Sequence, residues 1–287
     1  MKVPAFALAV LVLVTALIAP TAPEIAYPRA PLSSDDLVLI DAPHIYQGIN
    51  YPNGCESVSA VMALQYLGID MDVDTFIDQY LECGYTPIRD KKGGNPNSVY
   101  LGDPRSPFGW GCYAPVIYRA LRKFVPAEEY HVWTGAGISL ESLCRDYIDR
   151  GIPVVVWATV GMIDSGAPEF YAHWTTPEGR PISYNTYLHC LLLVGYDRDH
   201  FYFNDPLVPP SGGGKVTAYP KDAVEVAYNI LGCQSVVIVP TGETVLRRTE
   251  EQVQKAARGL TRKLTFGLLG NTPKRFRTVC NMAILES

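Results

Sequence analysis

Nearly everything that reads as a strand comes late in this chain, and the helical patterns come mostly before it. Four apolar runs lie in the second half: IPVVVWATV at 152–160, LHCLLLVGYD at 188–197, HFYFND at 200–205 and QSVVIVP at 234–240. Helical spacing appears earlier. In 56–67, Val58, Val61, Leu64 and Leu67 recur at helical intervals with small Ser and Ala between them, so this helix can be buried around most of its circumference. DVDTFIDQYLE, at 72–82, reads as a second helix capped by Asp72 or Asp74. Helical patterns return at 113–124 and, behind Ser139 as a cap, at 140–150. A short helix ending on Gly232, KDAVEVAYNILG, separates the last two strand runs. Helices first and strands later predict an α+β fold with a mostly antiparallel sheet. DLVLIDAPHIYQ, near the start, alternates like one further short strand.

The ends read differently from the body. Residues 3–18 are an apolar run behind a single Lys, shorter than the roughly 20 residues a membrane-spanning helix needs. Residues 1–22 therefore read as a secretory signal peptide or an uncleaved N-terminal anchor, and the protein as secreted or extracytoplasmic. A Pro-rich linker follows at 23–36, and then a single domain at 37–240. The extension at 241–287 holds nine Lys or Arg against four Asp or Glu, so it is basic while the whole chain carries a net charge of −5. Charged residues make up only 18% of the chain, which argues against a nucleic-acid partner.

Seven cysteines, at 55, 83, 112, 144, 190, 233 and 280, form no CxxC pair, so zinc-finger spacing is absent. An odd count in an exported chain leaves at least one thiol unpaired, and buried free thiols fit the pattern as well as disulfides do. Cys55 stands out because it follows Gly54 and opens a helix, where the dipole favours a thiolate. A nucleophile needs a base. His189 alone among five histidines opens a strongly apolar strand, where a polar ring must find a partner or face a cleft. The next strand ends in FYFNDPL, and a hairpin return brings Asp205 or Asn204 beside the imidazole. The side-chain amide of Gln47 and the Cys55 backbone N–H supply two donors for an oxyanion.

The ordered set NGCESVSAVMALQYLGI, FGWGCYAP, IPVVVWAT, LHCLLLVGYD and NDPL, with Gln47 upstream, resembles the papain-like cysteine peptidases. More narrowly, it is similar to the family related to bacteriocin double-glycine leader peptidases, in its stand-alone exported bacterial branch. The likeness covers about 37–240. It implies a papain-like fold whose N-terminal helix carries the nucleophile. It also implies a Cys55–His189–Asp205 triad with Gln47 at the oxyanion, no cofactor and a peptide or protein substrate. Cell-wall peptides, a silent binding module on the same scaffold, and an acyltransferase remain open alternatives. So does a membrane or wall tether at the N-terminus. The aromatic insertion APEFYAHWTTPEGRPISYNTY, just before the His189 strand, reads as a specificity loop.

Overall fold

The computed structural model describes residues 37–87, 92–212 and 215–242. The expected leader, the linker and nearly all of the basic extension lie outside them. Five α-helices are described: α1 (Cys55–Tyr66), α2 (Val73–Gln79), α3 (Ala114–Arg122), α4 (Leu140–Asp146) and α5 (Lys221–Ile230). The strands are β1 (Val38–Leu39), β2 (Cys83–Gly84), β3 (Tyr100–Leu101), β4 (Tyr130–Gly135), β5 (Val154–Thr159), β6 (Tyr171–Thr175), β7 (Pro181–Asn185), β8 (Leu188–Tyr196), β9 (His200–Asn204), β10 (Thr217–Pro220) and β11 (Ser235–Pro240).

The main sheet runs β10-β9-β8-β5-β11-β4, with β1 pairing the far end of β8, and every neighbouring pair is antiparallel. This is the expected α+β arrangement. Helix α1 packs on β8 and β5, while α5 packs on β5, β9 and β10. With both faces covered, β5 is buried throughout and β8 at every residue but Tyr196, which is why these runs are continuously apolar and do not alternate.

Helix α1 is the part of the fold most closely tied to its sequence. Its first ten residues, from Cys55 to Leu64, are all buried. Ser59, Ala60 and Ala63 are small enough to let the helix come close to β8, and the Ser59 hydroxyl donates to the Cys190 carbonyl at 3.1 Å. Two of the expected caps are present. Asp72 accepts from the Thr75 N–H at 2.8 Å, and Ser139 accepts from the Ser142 N–H at 3.2 Å.

Several expectations need correcting. The early strand shrinks to the two residues of β1. The helix expected over 140–150 stops at Asp146 and is followed by one 3-10 turn, Ile148–Arg150, closed by Gly151 in the left-handed region. The sheet has more strands than the four apolar runs. Its edges are β4 and β10, and the expected specificity loop contains the hairpin β6–β7. β10 was hard to read because it is only four residues long, and β4 because it buries one side only. In β4, Tyr130 and Val132 point inward, while His131 and Trp133 are exposed.

The β1–β8 contact depends on one glycine. A Cβ on Gly195 would lie 2.3 Å from the Val38 carbonyl oxygen, and backbone cannot yield as a flexible side chain can. We expect Gly195→Ala to destabilise the protein by about 1–3 kcal/mol in urea titration, with hydrogen exchange accelerated first in β1.

Candidate active site

Cys55 is the first residue of α1 and is buried. Gly54 before it has φ −96°, open to any residue, so the turn itself does not require glycine. Space does, because a Cβ there would fall 2.8 Å from the Tyr51 Cβ. The Cys55 N–H, first of the helix, finds no backbone acceptor among the described residues. The Cys190 backbone favours the Cys55 thiolate, and one turn along α1 the Ser59 hydroxyl donates to the Cys190 carbonyl at 3.1 Å. Since Cys190 adjoins His189 on β8, the helix start and the histidine strand meet where the sequence placed them.

His189 sits near the start of β8, opposite the small Ala158 of β5. Its Nε2 lies 2.8 Å from Asp205 Oδ1, with both side chains buried. The β8–β9 register accounts for this pairing. Leu192 faces Asn204, so one step further Asp205 comes opposite Leu191, and His189 lies two residues along on the same face. Asp205 is closely held. Oδ1 also accepts from the Leu207 N–H at 2.9 Å, Oδ2 accepts from the Tyr219 hydroxyl at 2.8 Å, and the backbone carbonyl accepts from His44 Nε2 at 2.9 Å. Burial pushes the Asp205 carboxyl up, but the His189 charge and these hydrogen bonds outweigh it and hold the group below its ordinary value. An ionised carboxylate only accepts, so His189 Nε2 carries the proton and Nδ1 is left as the basic nitrogen of the neutral ring.

Between the two candidate orienters, the geometry favours Asp205. Asn204 Nδ2 donates instead to the carbonyls of Ala42 and Pro43, at 3.0 and 2.9 Å. Gln47 is buried just upstream of the helix. Its backbone N–H donates to the Pro206 carbonyl at 2.9 Å, which ties it to the Asp205 turn, and its Nε2 donates to the Pro52 carbonyl at 2.9 Å. That leaves the amide one further N–H.

At Cys55 burial works against the helix dipole. Burial pushes the thiol well above its ordinary range, and the Glu56 charge and hydrogen bond push it further. Sequence reading gave Glu56 no role. It is fully buried, with Oε2 accepting from Cys55 Sγ at 3.3 Å and Oε1 accepting from the Cys112 N–H at 2.7 Å. Burial lifts its carboxyl to about 7, against the pull of the hydrogen bonds and the His189 charge. Tyr219 and His44, which brace Asp205, were missed as well. They come from β10 and from the segment after β1, which local sequence does not connect with Asp205. Of the tryptophans near the site, Trp157 is fully buried and donates to the Cys112 carbonyl at 2.8 Å, while Trp110 and Trp174 pack at tilted angles against Tyr184 of β7.

The profile of the Peptidase_C39 like family matches residues 39–236. The chain belongs to that family. It is 31% identical over 200 residues to the uncharacterized protein YvpB of Bacillus subtilis (strain 168), covering 69% of this chain and 72% of YvpB. Among solved structures it is similar to a candidate C39-like peptidase from Bacillus anthracis. That match has 26% identity and a TM-score of 0.61, and covers 72% of this chain and 98% of the other. Family and fold together support a peptidase-type function.

Glu56 also makes a stability prediction. Its folded pKa of about 7 lies above the ordinary 4.5, so the folded state binds this proton more tightly than the unfolded state does. The folded state is therefore disfavoured progressively as pH rises from about 4.5 to about 7, by about 3 kcal/mol in full. Asp205, shifted the opposite way, acts only in more acidic solution. In urea titrations at pH 5 and pH 8, Glu56→Gln is expected to lose this pH dependence, and the difference from wild type isolates the group.

Proposed function

We propose that the chain is an exported cysteine peptidase that hydrolyses amide bonds through Cys55, His189 and Asp205. One observation carries the reading: the buried Asp205–His189 hydrogen bond, on the strand against which the Cys55 helix is packed. In this reading His189 Nδ1 takes the Cys55 proton as the sulfur attacks the substrate carbonyl. The Cys55 N–H, with the second N–H of the Gln47 amide, receives the developing oxyanion. His189 then protonates the leaving amine, a thioester remains on Cys55, and water activated by His189 hydrolyses it. Asp205 holds the ring in the tautomer that this sequence requires. Export rests on the apolar run at 3–18, and the substrate is a peptide or protein, cell-wall peptides included.

The raised Cys55 thiol favours a second reading, a papain-like binding module without turnover. The two separate in a panel of fluorogenic peptides and purified cell walls, assayed with wild type and site variants. The peptidase reading expects Cys55→Ala and His189→Ala to abolish turnover. Asp205→Ala is expected to lower kcat by about 10²–10⁴ with little change in KM. Absence of turnover on every substrate, together with no labelling of Cys55 by a peptidyl epoxide, would leave the binding module.

A further inference from the structure

Glu56 takes no part in the steps above, yet its carboxyl touches the atom they depend on. A glutamate in the first turn of a helix ordinarily faces water, where it complements the dipole. Here it turns inward, and the loop around Trp110 and Cys112 holds it there. That loop is fixed in turn: the Trp110 carbonyl accepts from the Tyr184 hydroxyl at 2.6 Å, and the Cys112 carbonyl accepts from Trp157 Nε1 at 2.8 Å. Between them Gly111 has φ +127°, and a Cβ there would lie 2.5 Å from Glu56 Oε1. With Oε1 occupied by the Cys112 N–H, Oε2 is left aimed at the Cys55 sulfur.

We propose that Glu56 gates the nucleophile. When ionised it holds Cys55 as the neutral thiol, and when protonated it lets the thiol proton pass to His189 and donates its own O–H to the thiolate. The proposal rests on the peptidase reading for the part His189 plays. A carboxylate has no hydrogen to give, so the hydrogen between Oε2 and Sγ must be the thiol's. A second negative charge on the sulfur would also face the first across a dry contact. Uptake of one proton from solvent reverses both effects. The S–H bond breaks, its proton goes to His189 Nδ1, and a neutral carboxylic acid points its O–H at the new thiolate. One proton enters, no electrons are transferred, and the cluster goes from net −1 to neutral.

The groups acting on Glu56 or acted on by it come from every side. They are Cys55 on α1, Tyr100 on β3, Cys112 on the loop, Tyr184 on β7, and His189 and Cys190 on β8. Burial pushes the thiols of Cys112 and Cys190 and both phenols well above their ordinary values, so these four stay neutral while the carboxyl titrates. Among the described residues in this set, His189 is the one group that can take up a positive charge. Burial brings the carboxyl's midpoint to about 7, so the gate opens on mild acidification.

The consequence is a thiol that becomes more reactive as pH falls, the reverse of an ordinary cysteine. The test is the rate of Cys55 alkylation by iodoacetamide on the full chain between pH 5.5 and 8.5, located by peptide mass spectrometry because other thiols compete. Wild type is expected to react about tenfold faster at pH 6 than at pH 8, as a single titration gives when the two pH values lie one unit either side of a midpoint at about 7. Glutamine at position 56 keeps an acceptor for the Cys112 N–H and a donor for the sulfur, without the charge. Glu56→Gln is therefore expected to react fast at both pH values with a flat profile. His189→Ala is expected to lose the fast reaction at every pH. A wild-type rate that climbs steadily with pH overturns the gate, and that measurement decides the matter even if Glu56→Gln does not fold. If Glu56→Gln flattens the profile while His189→Ala keeps the wild-type curve, Glu56 controls the thiol but His189 is not its base. In that case the peptidase reading fails, not the gate.

Discussion

The close packing of α1 on β8 is the contact on which the rest of the structure depends. A helix can approach a strand this closely only where its side chains are small, and the Ser and Ala residues of α1 provide that, with the Ser59 hydroxyl bound to the strand's own carbonyl. This approach sets the first residue of the helix against the residue that follows His189. It also buries the start of the helix. Burial of Cys55, of Glu56 and of the His189–Asp205 pair are therefore parts of one packing solution.

That solution has two electrostatic effects on the site, with opposite signs. At Asp205, hydrogen bonds and an adjacent imidazole outweigh desolvation and the carboxyl stays ionised. At Glu56, desolvation wins and the carboxyl is poised near neutrality. The helix dipole, which favours anions at an N-terminus by about 0.3–1 kcal/mol, is too weak to reverse the desolvation of a dry thiol beside a carboxylate. An argument from helix position alone thus misjudged Cys55, because it counted the favourable field and left out the missing water.

Much of this was legible in the sequence, for identifiable reasons. Cys55 and His189 were visible because each interrupts a pattern its neighbours keep. Asp205 was visible because a hairpin has only one geometry. The local residues left Asp205 and Asn204 both open, and only the family resemblance favoured Asp205. The choice turns on the carbonyls of Ala42 and Pro43, which belong to a distant segment and occupy the Asn204 amide. Glu56 was hidden for the same kind of reason: nothing local says that Gly111 and Cys112 will close over it. The edge strand β4 and the β6–β7 hairpin escaped because much of each is wetted, which weakens the apolar signal, and β10 escaped because it is only four residues long. Central strands announce themselves in sequence, and edges are defined by what they lack.

The two halves of the site differ in how far along the chain they must be gathered. His189 and Asp205 belong to one hairpin, whose turn is held by Asp197 accepting from the N–H groups of Asp199 and His200 and from the Tyr202 hydroxyl. Cys55 must be brought in from the far end of the domain. Loop closure grows more costly with length, and local pairings form soonest. The base and its orienter are therefore expected to form as one early unit, with docking of the helix completing the site. Until that happens the thiol stands apart from its partners, so whatever chemistry the finished site performs is withheld from the chain while it is still folding.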